Sequence, residues 1–584
     1  LILDEPALIE HWKAAGWWGR TTVYDLFRDC VQRYGDRLAL VDPPNRESFT
    51  TGEPRQLTFA ETARAVDELG VALFSAGVRR GDIVLVQLPN VVEIVIAFLA
   101  GARLGAIVSP IMLAYGERDL RRIVQHLHPA AWVTLAAFKE LRPARRAADV
   151  VAAQAARGEG GARPLPVLAF GSEHDARVRN LEACDHSVRE IEGFKAYVES
   201  LTLDANEIVT MHWTSGTTGE PKCVPRSHNT WHATGSCCTD AGGLEPGERI
   251  LAPMQMVHTA GYSGMFMPWL ETAGLLALHQ PFDMRVFLEQ IETLRINHTV
   301  AAPAMLNALL KSDALEARDV SSIRSILCGS APLDPWMIEG FKQRYGIEIV
   351  NAFGSTEGLT LASGPSISAD PYRRARYFPR FRGRAERSFA PVSWGLRIAP
   401  VVETRLRDLD TGRDIEVPRQ PGELLFRSPA LFPGYWTAAG TLDRSDFDER
   451  GFFRAGEIFE IAGEDADSDY LHYIDRLRDV INRGGVKIPV GEVESAIQAL
   501  PEVREATVIG SPDARLGERI CAVVVLAPDA SLSLEGLIQR LEAAGIDRYL
   551  LPERLEIVPA LPRNLTGKVL KRELARSLTT THAT

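Results

Sequence analysis

Thr214-Ser215-Gly216-Thr217-Thr218-Gly219-Glu220-Pro221-Lys222 gathers four hydroxyls, two glycines and a lysine into nine residues. Glycines let successive backbone N–H groups turn into one concavity, and hydroxyls add donors without bulk. Such a nest suits a polyanion, most directly a nucleotide triphosphate. It is not a Walker loop, which needs four residues between its glycines and Ser or Thr after the lysine. Here two residues separate the glycines, and Cys223 follows Lys222. Taken alone, the cluster also reads as a polar turn at the end of a strand.

Further stretches carry compatible chemistry. Asn351-Ala352-Phe353-Gly354-Ser355-Thr356-Glu357-Gly358 offers an aromatic face, hydroxyls and a carboxylate after an expected strand. Gly329-Ser330-Ala331-Pro332 exposes backbone polar groups on a tight turn after another. Gly451 to Glu457, followed by Arg476, sets a carboxylate and a guanidinium ahead of the C-terminal region. Pro562-Arg563-Asn564-Leu565-Thr566-Gly567-Lys568 places a lysine behind a glycine near the end.

These residues need a scaffold, and the hydrophobic pattern supplies one. Ile83 to Leu88 reads as a strand, Val91 to Leu104 as a helix and Ile107 to Pro110 as a strand. Leu120 to Leu127 returns to helix. Strands recur at Ile208–Met211, Thr299–Ala302, Ile323–Cys328 and Ile347–Asn351. Such alternation predicts an α/β protein with parallel-rich sheets flanked by helices, and ligand-binding loops beyond the strand ends. From Pro421 the texture becomes β-rich, a small β-subdomain. After Asp475 to Asp479 a compact α+β unit begins, with helices over Glu492–Leu500 and Leu534–Ala544 and strands over Glu505–Ile509 and Ile520–Leu526. We divide the chain into a large domain over 1–474, a hinge at 475–479 and a small C-terminal domain over 480–584. Leu141 to Pro166 and the arginine-rich Pro371 to Arg387 read as surface linkers, the latter a solvated loop or a landing site for a phosphorylated cosubstrate.

Composition bounds the partners. The 584 residues are too many for one core. The net charge of −11 argues against a general nucleic-acid binder. Seven cysteines without a CxxC pair fit reduced thiols better than a disulfide or zinc framework. Adjacent Cys237 and Cys238 read as buried packing on a helix. His126 and His128 lack metal-ligand spacing. The most apolar window, Asn90 to Leu113, is broken by Glu93 and Arg103 and reads as buried helix and strand, with no integral membrane segment. The expectation is a soluble, cytoplasmic protein.

Together these motifs, in this order, resemble the adenylate-forming superfamily of acyl-CoA synthetases, aryl-acid ligases, adenylation domains and luciferases, from about Thr22 to Leu574. The resemblance implies that a carboxylate attacks the α-phosphorus of ATP, and that a thiol, normally coenzyme A, then displaces AMP. It implies that Thr214, Ser215, Gly216, Thr217, Thr218, Gly219 and Lys222 embrace the β- and γ-phosphates. Phe353 would stack on the adenine, flanked by Gly329, Ser330 and Ala331, and Asn351, Gly354 and Ser355 would belong to the nucleotide-binding residues. Thr356 would bond the α-phosphate, Glu357 hold Mg²⁺, and Lys568 bridge the α-phosphate and the acyl carboxylate. Arg476 accompanies Glu457 at the nucleotide. Gly484 and Gly485 would border the thiol tunnel after the mobile small domain swings about Arg478, where the family carries Asp or Lys. Glu457 departs from the family's Asp, which binds the ribose hydroxyls; one added methylene shifts that carboxylate by about a bond length.

The resemblance also assigns Pro253 to Tyr262, with Phe266 and Trp269, to the acyl pocket, and His258 to gating the carboxylate or to pocket hydrogen bonding. His258 to Tyr262 and Ala514 to Arg519 look closest to medium- and short-chain fatty acyl-CoA and cyclohexanecarboxylate-CoA ligases. The implied substrate is a small-molecule carboxylic acid: medium-chain, alicyclic or aryl. A separate carrier protein is an alternative acceptor, a non-catalytic nucleotide-binding relative a further reading, and a homodimer is compatible with the family.

Overall fold

A computed structural model describes residues 1–157, 164–183, 185–214, 221–312, 314–380, 402–484, 486–513, 515–563 and 569–581. Apolar runs become buried strands of two large sheets. In one, Ile83–Val86, Ile107–Pro110, Ala131–Leu135, Val167–Phe170, Val178–Asn180 and Ile208–Trp213 lie parallel. Antiparallel Cys223–Ser227, Tyr435–Trp436 and Leu442–Asp443 complete its nine strands. The second, eight-stranded sheet has a parallel centre that includes Arg249–Ala252, His298–Ala301, Ser325–Gly329 and Glu348–Gly354. Strands buried on both faces read as continuous apolar runs, which is why the sequence pattern located them.

Helix Val92–Leu104 fits between layers: every residue except Arg103 is buried, and the chain leaves it through Gly105 at φ +68°. That left-handed exit suits glycine. Helix His228–Gly242 buries Cys237 and Cys238 as expected. Six free cysteines are buried among the described residues, and burial raises their thiols, Cys30, Cys238 and Cys521 to about 12.

A six-stranded antiparallel sheet follows, built around Gly422–Arg427, Phe453–Ile461 and Tyr470–Arg476. The chain then turns through Leu477–Asp479 into a five-stranded α+β unit. Its backbone is the hairpin Val503–Asp513 with Gly517–Leu526, longer than the alternation indicated. Among the described residues no helix is long and apolar enough to cross a membrane.

Two expected linkers are corrected. Residues Pro143–Ala156 form a helix, because Ala144, Ala147 and Ala148 share one buried face despite the intervening arginines. Pro371–Arg376 is also helical, capped by the Asp370 carboxylate on the N–H groups of Tyr372 and Arg373. Arg374 is buried, donating to Glu348 at 2.6 Å and to Ser368 O at 3.0 Å. It holds the fold together, and a solvated loop is ruled out at that position. Arg382, Arg384 and Arg387 lie outside the described residues.

Candidate active site

Two antiparallel strands flank the stretch expected to hold phosphate. These strands, Ile208–Trp213 and Cys223–Ser227, pair with Trp213 opposite Cys223. Thr214 N–H donates to Lys222 O at 2.9 Å, and Lys222 N–H donates to Thr214 Oγ1 at 3.0 Å. These two bonds fasten the loop's ends. Ser215, Gly216, Thr217, Thr218 and Gly219 lie outside the described residues, as do Gly485 and Lys568.

The second motif is a clamped turn at the end of strand Glu348–Gly354. Ser355 N–H donates to Leu359 O at 2.9 Å, closing it. Gly358, at φ +119°, approaches the Ala430 carbonyl so closely that a Cβ would sit 2.0 Å from it. Phe432 N–H donates to Glu357 O at 2.8 Å, and Tyr435 donates its phenol to Glu357 Oε1 at 2.7 Å. Lys222 Nζ lies 4.1 Å from the Tyr435 ring centre and 3.2 Å from Asp446. Nest and turn therefore meet through Tyr435. Outside them runs a groove of about 560 Å³ bordered by Arg122, His126, Lys222, Trp436 and Asp443.

Phe353 packs against Phe378, Phe459 and Tyr473, with ring centres 5.2 Å apart in the last two pairs. The Tyr473 phenol donates to Glu457 Oε2 at 3.3 Å, and Arg476 Nε lies 3.7 Å from Glu457 Oε1. Phe353, Glu457 and Arg476 thus form a second group, beside the turn. Asn351 spends its amide nitrogen on Arg374 O and Ala375 O, bracing the short helix. Gly329 lies opposite Ala352, whose carbonyl would meet a Cβ at 2.1 Å; Ser330, at φ +74°, and Ala331 are exposed. Gly484 donates to Leu516 O within the C-terminal unit.

His258 lies within Pro253 to Tyr262, the segment of the expected acyl pocket. Its Nε2 is buried and has no hydrogen-bond partner among the described residues, and desolvation lowers its pKa to about 4. Gln255 and Val257 of the same segment line a cavity of about 140 Å³ with Met112 and Phe138 among others. Phe266 and Trp269 correct the pocket assignment. Both are fully buried, and Trp269 stacks on Phe59 at 5.7 Å with 4° between the rings, so they are core.

Tyr435, Tyr473 and Arg226 went unread in the sequence. Arg226 had one available signal, a charged residue within an otherwise uncharged strand. The two tyrosines lay in aromatic surroundings that read as packing.

Thr214 and Lys222, at the ends of the hydroxyl-rich stretch, and the carboxylate turn stand at strand ends of two parallel-centred sheets, an arrangement that fits the adenylate-forming class of enzyme. The chain belongs to the AMP-binding enzyme family: residues 27–436 match it, and residues 492–568 match the AMP-binding enzyme C-terminal domain. It is 28% identical to pyochelin synthase PchD of Pseudomonas aeruginosa over 98% of this chain and 96% of that one. It is 27% identical to the medium-chain fatty-acid–CoA ligase of Escherichia coli over 97% and 93%. The ATP-bound structure of MatB from Rhodopseudomonas palustris shares the fold, with a TM-score of 0.74 and 23% identity, over 96% of this chain and 100% of that one. The protein is an acid–thiol ligase by class, an enzyme that uses ATP to activate a carboxylic acid.

Proposed function

We propose that the protein is a cytoplasmic ATP-dependent carboxylic acid–CoA ligase acting on a medium-chain, alicyclic or aryl acid. The observation that carries this reading is the turn Ser355–Gly358, fastened from several sides next to the anchored ends of the nest. Rigid donors beside a cation suit a reaction in which two anions must meet. The acid's carboxylate oxygen bonds to the α-phosphorus as the bond to the bridging β-phosphate oxygen breaks, releasing pyrophosphate. The sulfur of CoA then bonds to the acyl carbon, AMP departs with the oxygen, and the thiol proton passes to solvent.

Glu357 would hold Mg²⁺. A hard ion of this kind takes one or two carboxylates and completes its shell with phosphate and water, so a lone carboxylate in this position fits. Bound there, the ion would neutralise phosphate charge. Thr356 would meet the α-phosphate and Glu457 the ribose. Lys568 would serve adenylation alone: Lys568→Ala is expected to abolish pyrophosphate exchange and to spare thioester formation from supplied acyl-adenylate. For that second step the small domain, over 480–584, would rotate about 475–479.

The test is release of AMP and pyrophosphate across fatty, alicyclic and aromatic acids, with and without CoA. CoA-dependent AMP release with an acyl-CoA mass for one class supports the reading. Pyrophosphate release without CoA consumption assigns a carrier-protein thiol instead. Silence from folded protein that binds ATP rejects catalysis.

A further inference from the structure

Arg226 is fully buried, and among the described residues no carboxylate oxygen lies within ion-pair distance of it. Among the described residues its guanidinium bonds only to neutral acceptors. Nη1 donates to the Thr356 carbonyl at 3.0 Å, and Nη2 to Thr230 O at 3.0 Å and Thr234 Oγ1 at 2.5 Å. Nε reaches Thr230 Oγ1 at 3.3 Å, and the plane lies 4.4 Å from the Trp231 ring centre. Burial pulls its pKa down, to about 9, so it stays cationic at neutral pH; the charges of Glu357 and Asp4 act against that fall.

Burying a charge without a close counter-ion is costly, and a methionine or leucine would fill the volume with less penalty. Something other than packing keeps a guanidinium here. It ties the helix His228–Gly242 to the backbone of Thr356, and it places a positive charge behind the turn that faces the nest. In a water-poor interior such a charge acts more strongly on an incoming anion than it would in solvent.

We propose that Arg226 is a positioning residue for adenyl transfer. It fixes the Thr356 carbonyl, so that the hydroxyl and the Glu357 carboxylate stand where the reacting phosphate requires them, and its charge offsets the anions gathered there. The inference rests on the adenylation reading above and adds to it a residue that touches neither nucleotide nor acid.

Three variants test it, Arg226→Gln, Arg226→Lys and Thr234→Val, the last loosening Arg226 without touching Thr356. Each is assayed for melting temperature, acid-dependent ATP–pyrophosphate exchange, and thioester formation from supplied acyl-adenylate. Arg226→Gln is expected to lower the kcat of exchange about 100-fold, with the KM for MgATP moved less than about 3-fold. Thioester formation should stay within about 2-fold of wild type. Arg226→Lys should recover about 10-fold, since it keeps the charge but not the fork. Thr234→Val should lose about 3- to 10-fold in exchange alone. Should Arg226→Gln fail to fold, the other two decide. Equal losses in both half-reactions, or wild-type exchange from a folded variant, overturn the proposal. Wild-type protein without acid-dependent exchange rejects the functional reading instead.

Discussion

Tyr435 donates its phenol to the Glu357 carboxylate at 2.7 Å while its ring carries Lys222 Nζ at 4.1 Å. One side chain therefore couples the carboxylate of the turn to the lysine that closes the nest. The two lie 135 residues apart in sequence, and each reaches Tyr435 through a different sheet. The ring thus stands against the cation while its hydroxyl holds the anion, and Lys222 pairs besides with Asp446 at 3.2 Å.

Removing that hydroxyl is the simplest probe. Tyr435→Phe keeps the ring under Lys222 and deletes a bond to a charged acceptor, worth about 1.5–3 kcal/mol. The expected outcome is a Mg²⁺ requirement for pyrophosphate exchange raised about 5- to 10-fold, with the KM for the acid unchanged. Titrating Mg²⁺ at fixed ATP checks it, and an unchanged requirement would separate Tyr435 from metal handling.

Glu457 accepts a hydrogen bond from the Tyr473 phenol and faces Arg476. Glu457→Asp withdraws the carboxylate from both. We expect the KM for ATP to rise about 3- to 10-fold with kcat within about 2-fold. Steady-state rates with ATP varied decide; a fall in KM would mean that the site was shaped for the shorter acid.

The small unit's first helix, Gly491–Gln498, has no side-chain cap of its own. Asp475 supplies one from the preceding sheet, its Oδ2 accepting from Val490 N–H at 2.6 Å and Gly491 N–H at 3.2 Å. Asp475→Ala should cost about 1–2 kcal/mol. Hydrogen exchange at the Val490 and Gly491 amides would accelerate about 10-fold. Unaltered exchange there would show that the cap is idle in solution.

Glu271 is fully buried, and desolvation raises its carboxyl to about 8, against hydrogen bonds from Thr239 and Ser236 that lower it. A folded pKa above the unfolded value contributes stability that is complete below about 4.5 and is lost as pH rises through about 8. Glu271→Gln keeps the acceptor and removes the titration. Its stability relative to wild type should therefore climb between pH 5 and 8, by at most about 1.4 kcal/mol per unit. Denaturant midpoints at both ends of that range measure the slope, and parallel curves would count against a buried neutral acid.

What the sequence disclosed follows from range. The nest and the Ser355–Glu357 turn are contiguous, so their chemistry was legible, and apolar runs located the parallel strands. Tyr435 could not be read, because its partners Glu357 and Lys222 are distant in the chain. The helix Pro143–Ala156 hid behind an alanine and arginine composition whose buried face exists only once the neighbouring strands are formed. Arg374 looked like one charge in a basic run until Glu348 supplied a buried partner. Lys568 stayed a matter of motif position throughout.

The sunken cysteines have a practical consequence. With six of seven thiols buried and held protonated, and Cys184 replaced, the folded protein would offer maleimide dyes a silent background. Two cysteines introduced on exposed positions, one on the antiparallel sheet and one beyond Asp479, would then be its only labelling points. Energy transfer between them could follow the small unit turnover by turnover, in single molecules.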